Sequence, residues 1–274
     1  MIVPEQLYLA VRLISFGAVL ALMMALEYAV PRRSRLLARW HRWPGNVALV
    51  VIDSVAARLI IPLAVIGVAA SAQAQGWGLL NQVALPDWVE IVIAVMLLDL
   101  AIYGQHVAFH ALPSLWRLHR MHHSDPDLDV TTALRFHPVE ILLSLLLKLL
   151  VVAALGASPL AVLIFEVLLN ATAMFNHSNI ALPRTIDALL RRVLVTPDMH
   201  RVHHSIDARE TNSNFGFNLP WWDWLFGTYR AQPVAGHQGM TTGLADFRGD
   251  RDQRIDQLLL QPLRRDSGKG ANHG

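Results

Sequence analysis

Long apolar runs separated by short polar stretches dominate this chain. A transmembrane helix takes about 20 largely apolar residues, and candidates run from about Leu7 to Val30, Asn46 to Ala70 and Trp88 to His110. Two shorter runs, Val139 to Leu155 and Pro159 to Phe175, flank Gly156-Ala157-Ser158-Pro159 and read as a hairpin with arms barely long enough to cross. The expected fold is an all-α integral membrane bundle of about four spans, the last a hairpin, with a helical cap. Met1-Ile-Val-Pro-Glu lacks a basic region, and Arg32 and Arg33 follow the first run directly, so that run is expected to be a retained anchor rather than a cleaved signal.

Charge sets the expected orientation. The loop after the first run holds Arg32, Arg33, Arg35, Arg39 and Arg42 without an acid, whereas Ser71 to Pro86 holds no basic residue. By the positive-inside rule the arginine loop is cytosolic, and tracing the spans puts the cap on the same side. Lys148 and Glu166 each stand nine residues from Ala157 at the hairpin tip, so antiparallel arms bring them to equal depth. They are expected to pair, because an isolated charge at the centre of a span costs about 2.5–3.5 kcal/mol.

Composition sharpens the picture. Of 274 residues 54% are hydrophobic and 16% charged, against about 25% charged in soluble domains. The chain carries 13 histidines and no cysteine, which excludes disulfides, thiolate metal sites and cysteine-ligated iron–sulfur clusters. Net charge is +2, with 21 Arg and 2 Lys spread along the chain; no basic patch for nucleic acid emerges.

Ten of the histidines lie between positions 106 and 204, and their spacing carries chemistry. His106 and His110 stand at i, i+4; His119-Arg120-Met121-His122-His123-Ser124 and His200-Arg201-Val202-His203-His204-Ser205 are near-copies with spacing i, i+3, i+4. On a helix such residues share a face, so each cluster is a helical chelate. Pro113 with Ser114, and Thr196-Pro197, supply helix starts just ahead of the two cassettes. Adjacent histidines diverge by about 100°, so His122 and His123 suit two neighbouring ions rather than one. Eight imidazoles exceed the needs of one ion and favour a dinuclear centre, while imidazole alone does not choose among zinc, copper, iron and nickel. Asp99, Asp125, Asp127, Asp129, Asp198 and Asp207 are candidates to offset the charge of two divalent ions from outside the ligand sphere. His237, in a Gly-rich stretch, and His273 are expected to be solvent-exposed.

The order His106-x-x-x-His110, His119-x-x-His122-His123, Asn176-His177-Ser178-Asn179 and His200-x-x-His203-His204 resembles the fatty acid hydroxylase/sterol desaturase superfamily of membrane di-iron enzymes. Leu115-Trp116, Arg135-Phe136-His137-Pro138-x-Glu140, Asn214-Phe215-Gly216 and Trp222-Asp223-x-Leu225-Phe226-Gly227-Thr228 extend the resemblance over roughly residues 90–230. It implies a histidine-only site of two iron ions on the cytosolic side of a membrane, the bacterial inner membrane given the arginine-rich composition, where dioxygen oxidises a C–H bond of a lipid. Carried over by position, one ion takes His106, His119, His122, His200 and His203, and the other His110, His123, His177 and His204. Asp99, His137, Asp198 and Asn179 are assigned to the surroundings of the metals or to substrate contact. Val107 stands where many relatives have arginine.

On this reading residues 1–87 form the N-terminal helices and arginine loop, 88–247 the catalytic domain, and 248–274 a polar helix around Leu258-Leu259-Leu260 with a flexible end from Ser267. No cysteine and no Gly-x-Gly-x-x-Gly fingerprint is present, so an external electron donor, a reductase, ferredoxin or cytochrome, is implied. The aromatic stretch Phe215 to Tyr229 is placed at the membrane interface, anchoring the cap and shaping the lipid entrance. Two other readings compete: a zinc-dependent membrane hydrolase, and a non-catalytic metal transporter or haem carrier, although transporter sites favour the bilayer midplane. Zinc also binds such sites more tightly than ferrous iron, so purified protein is expected to be able to hold zinc.

Overall fold

The computed structural model describes residues 5–61 and 65–265; Met1 to Pro4, the flexible end expected from Ser267, and His273 lie outside the described residues. Helices α1 (Glu5–Ala29), α2 (Arg39–Ile60), α3 (Val65–Gln75), α4 (Asp87–Ala111), α5 (Pro113–His123), α6 (Pro138–Leu155) and α7 (Pro159–His177) build the bundle. Shorter helices α8 (Arg184–Leu190), α9 (Pro197–His203), α10 (Ala208–Thr211), α11 (Trp221–Phe226), α12 (Gly236–Gly239) and α13 (Ile255–Leu260) form the cap. Five of these, α1, α2, α4, α6 and α7, are long and apolar enough to cross a membrane. The architecture is a membrane helical bundle carrying a histidine cluster at one end.

The second expected span differs. Instead of one run from Asn46 to Ala70, α2 begins at Arg39 and ends at Ile60, and a separate helix starts at Val65. Proline at position 62 disfavours the helical conformation of the residue before it, and Ile61 accordingly leaves the helical conformation (φ −123°, ψ 76°).

The hairpin forms as its sequence suggests. α6 ends where Gly156 takes a left-handed conformation (φ 67°), and Ser158 caps α7 by accepting the Ala161 N–H, with Pro159 in the first turn. A Cβ on Gly156 would meet Trp77 O at 2.5 Å, and one on Gly78 would meet Gly156 N at 2.3 Å, so glycine is needed on both sides of this contact. Lys148 Nζ reaches Glu166 Oε1 at 2.9 Å, confirming the expected pair. Tyr8 also donates to Glu166, and Arg12 Nε lies 3.3 Å from it. This carboxylate therefore ties α1 as well as α6 to α7.

The largest apolar core joins α3, α4, α6 and α7 through Ala69, Ala94, Leu98, Val152, Val162 and Phe165. At the opposite end from the hairpin tip, polar side chains lock loops to helices. Buried Glu27 accepts the N–H groups of Val130 and Asn179, and buried Arg42 pairs with Asp125 and Asp129. The expected docking helix is α13, whose Leu258 packs on Leu49 and Met121.

Candidate metal centre

Nine histidines converge from four helices at this locked end: His106 and His110 from α4, His119, His122 and His123 from α5, His177 from α7, and His200, His203 and His204 at α9. All nine are buried. They sort into two groups, His106, His110, His119, His123 and His203, and His122, His177, His200 and His204; within each group the ligand atoms lie within 4.8 Å of one another. Adjacent histidines separate, as their divergence on a helix requires.

The membership differs from the carried-over division. His110 and His123 sit with His106 and His119, while His122 and His200 sit with His177 and His204. Helix geometry supplies the reason. Residues i and i+4 are only about 40° apart around the axis, whereas i+3 lies about 60° off on the other side. Each cassette therefore keeps its i, i+4 pair in one group and sends its middle histidine to the other.

Six of the nine rings are held by their outer nitrogens. His106, His122, His177 and His203 present Nδ1 to the main-chain carbonyls of Phe215, Arg135, Ala173 and Ser213 at 2.8, 3.2, 2.7 and 2.8 Å. His119 Nδ1 is 2.7 Å from Glu140 Oε1, and His110 Nδ1 is 3.2 Å from Asn212 Oδ1. A carbonyl or carboxylate oxygen only accepts, so each of these Nδ1 atoms carries the proton and Nε2 is left with a bare lone pair. Yet Nε2 of His106 lies 3.2 Å from Nε2 of His119, and Nε2 of His122 lies 3.0 Å from Nε2 of His177. Two lone pairs at that separation repel unless a cation lies between them. An ion about 2.1 Å from two nitrogens at a right angle separates them by about 3.0 Å. The donor set and its spacing thus fit metal ions.

The protonation states agree. Burial pushes His119 down to about 3, and burial, followed by the neighbouring rings, pushes His122, His123, His200, His203 and His204 well below the ordinary imidazole value. All are neutral ligands near pH 7. Buried His203 Nε2 and both nitrogens of His204 have no hydrogen-bond partner.

The residues assigned to the surroundings hold the scaffold. Asp99 accepts Trp222 Nε1 at 2.8 Å and the N–H groups of Asn218 and Leu219 at 3.3 and 3.2 Å, so it fixes the loop after His204. His137 caps α6 through Val139 N–H and meets Leu259 O at 3.3 Å. Asp198 pairs with Arg32 at 3.0 Å and with Arg201. Asn179 exchanges hydrogen bonds with the main chain of Arg33. Asp125 and Asp129 are engaged by Arg42, Asp127 by the N–H groups of Leu36 and Leu37, and Asp207 caps α10. His237 is buried rather than exposed, 3.6 Å from Asp198, and burial pushes it down to about 4.

Three supporting residues carried no assignment in the sequence reading: Glu140, Asn212 and Asp223. Asp223 accepts the N–H groups of Phe215 and Gly216, each at 2.8 Å, in the segment whose carbonyls hold His106 and His203. The available signals were an acid in the first turn of a largely apolar span, and an acid inside the run Trp221-Trp222-Asp223-Trp224.

Residues 91–228, which contain all nine rings, match the fatty acid hydroxylase family. The chain is 34% identical over 149 residues to an ornithine lipid hydroxylase of Rhizobium tropici, covering 54% of this chain and 44% of that one. It is 29% identical over 158 residues to human alkylglycerol monooxygenase (54% and 32%) and 30% identical over 146 residues to rat cholesterol 25-hydroxylase (52% and 47%). The matched stretch thus spans less than half the length of each of these relatives. No solved structure matches. A match covering half of the chain and enclosing the whole histidine centre settles the family: the chain belongs to the fatty acid hydroxylase family.

Proposed function

We propose that the chain is a di-iron lipid hydroxylase or desaturase, with the two histidine groups as the sites of the two ions. The reading places the centre in residues 88–247, on the cytosolic side of a bacterial inner membrane, with electrons from a separate donor protein. The observation that carries it is the pairing of buried, bare Nε2 atoms at 3.0–3.2 Å by rings whose Nδ1 atoms are committed elsewhere. Bound iron supplies the redox chemistry by which dioxygen oxidises an unactivated C–H bond. The chain's residues do the rest: main-chain carbonyls, Glu140 and Asn212 fix the tautomers of six rings, burial keeps the rings neutral, and the packed end excludes water. The four-ring group is one donor short of its neighbour, which suits it to an exogenous ligand. Both groups consist of histidine alone, whereas a two-metal hydrolase commonly draws bridging carboxylates. The ornithine lipid hydroxylase relative favours a lipid with a polar head group as substrate.

The test is anaerobic loading of the full chain with ferrous iron, addition of a reductant and a lipid panel, then oxygen, with mass spectrometry of the lipids. Products heavier by one oxygen atom, or lighter by two hydrogens, are expected only with iron and oxygen together. Zinc-dependent hydrolysis without any oxygen-dependent product refutes the reading.

A further inference from the structure

The short helix α11 makes contacts that fix its depth. Buried Trp222 donates to Asp99 at 2.8 Å, and the Phe226 ring stacks on Tyr103 with centroids 5.4 Å apart. Tyr103 OH also meets Thr228 Oγ1 at 3.0 Å. In α4, Asp99 stands 12 residues and Tyr103 eight residues before the end at Ala111, about 18 and 12 Å along the axis. The 25 residues of α4 measure about 37 Å against a hydrocarbon core of about 30 Å. Even if the whole excess of about 7 Å projects at the Ala111 end, Tyr103 lies about 5 Å and Asp99 about 11 Å inside the core. Tilt shortens the projected helix and only increases these depths.

Whatever side chains α11 turns outward therefore meet hydrocarbon rather than water. Those side chains are apolar: Leu225 is 70% and Phe226 56% exposed, and Trp224 is exposed beside them. Trp221 donates to Arg192 O at 2.7 Å, joining α11 to the segment after α8; Ile186 and Leu189 of α8 and Val193 beyond it are also exposed. Behind this face a single aromatic layer intervenes before the rings. Tyr103, Phe215 and Trp222 pack together, and the Phe215 ring lies 5.6 Å from His106 and 5.1 Å from His110 between centroids.

We propose that α11 is a membrane-embedded wall of the metal centre, with Trp224, Leu225 and Phe226 in contact with the acyl chains of the leaflet at the histidine end. The proposal goes beyond an interfacial anchor: it places a cap helix within the hydrocarbon, one aromatic layer from the five-ring group. It rests on the membrane-enzyme reading, and the test separates the two.

The chain has no cysteine, so each introduced one is a unique probe. Leu225→Cys, Trp224→Cys, a span reference Leu146→Cys and a cap reference Arg251→Cys are spin-labelled in the metal-loaded full chain, in vesicles of phosphatidylcholine and phosphatidylglycerol. Collision with oxygen and with a water-soluble nickel chelate is then measured for each. Leu225→Cys and Trp224→Cys are expected to follow Leu146→Cys, with chelate accessibility at least fivefold below that of Arg251→Cys and high oxygen accessibility. Chelate accessibility equal to that of Arg251→Cys, with Leu146→Cys still protected, overturns the embedded wall and leaves the membrane reading standing. Spin–spin broadening at Leu225→Cys shows a second copy on this face and also overturns it. Free access of the chelate to Leu146→Cys overturns the membrane reading and the proposal together.

Discussion

Replacing Asp223 by alanine removes acceptors from two buried main-chain N–H groups, those of Phe215 and Gly216, and from the Thr228 hydroxyl at 2.6 Å. Hydrogen bonds to a charged group contribute about 1.5–3 kcal/mol each, so loss of the two main-chain bonds costs about 3–6 kcal/mol before relaxation. The consequence is local, because Phe215 O holds His106, Ser213 O holds His203, and Asn212 holds His110. Three of the five rings in one group thus share a single loop, whereas His122 and His177 in the other are held by Arg135 O and Ala173 O. Changes to groups supporting metal ligands typically lower affinity 10–100-fold, or about 1.4–2.8 kcal/mol, well within what the loop loses. The assay is competition of the metal-loaded protein with a chelator of known affinity, followed as metal equivalents per chain. Asp223→Ala is expected to weaken one equivalent 10–100-fold and leave the other within about threefold. Equal weakening of both equivalents, or of neither, refutes the assignment of the loop to one group.

Four further outcomes follow from the geometry. Glu140→Gln replaces the carboxyl partner of His119 Nδ1 at 2.7 Å by an amide and is expected to lower the affinity of the five-ring group about tenfold; an unchanged chelator titration contradicts this role. His122→Ala and His123→Ala, neighbours in sequence but members of different groups, should each leave one metal equivalent, and the double variant none; two equivalents in either single variant count against two sites. Metal-free protein should lose stability as pH falls below about 6.5, because the unfolded chain takes up protons that the buried rings refuse. For His119, held down at about 3, the loss at pH 5 is about 2 kcal/mol, so a thermal midpoint that does not fall between pH 7.5 and 5 refutes it. Lys148→Leu leaves buried Glu166 without its 2.9 Å partner and should destabilise the bundle in detergent, by up to about 3–5 kcal/mol if Arg12 does not compensate; an unchanged unfolding midpoint would show that Arg12 suffices.

The parts of this molecule that were legible in advance depend on side-chain identity repeated at helical spacing. Apolar runs marked the long helices, five rather than about four, although the second was expected to run from Asn46 to Ala70 and instead ends at Ile60, and equal distances from Ala157 matched Lys148 with Glu166. The cassettes announced their rings and the divergence of His122 from His123. What stayed hidden depends on tertiary contact. The acceptors that hold His106, His122, His177 and His203 are main-chain carbonyls, which every residue possesses and no sequence advertises. Asp99 could be recognised as an acid inside a span, but its partners lie about 120 positions away, in a loop folded back along α4. His237 looked exposed among glycines and is instead buried beside Asp198, itself fixed by Arg32 and Arg201.

The exchange of middle histidines between the cassettes explains why the centre needs both of them in place. Had each cassette served one ion, α5 with α4 could assemble one site while α9 with α7 assembled the other. Instead the five-ring group takes His203 from α9, and the four-ring group takes His122 from α5. Neither group is complete until α5 and α9 are both in place, which couples the packing of α9 against α5 to formation of both sites. The remaining asymmetry arises on the long helices. α4 contributes an i, i+4 pair, His106 and His110, but on α7 the position four before His177 is Ala173, whose carbonyl accepts the His177 Nδ1 proton. With alanine rather than a second histidine at that position, α7 supplies a single ring, and on the proposed reading this leaves the four-ring group as the one with room for dioxygen.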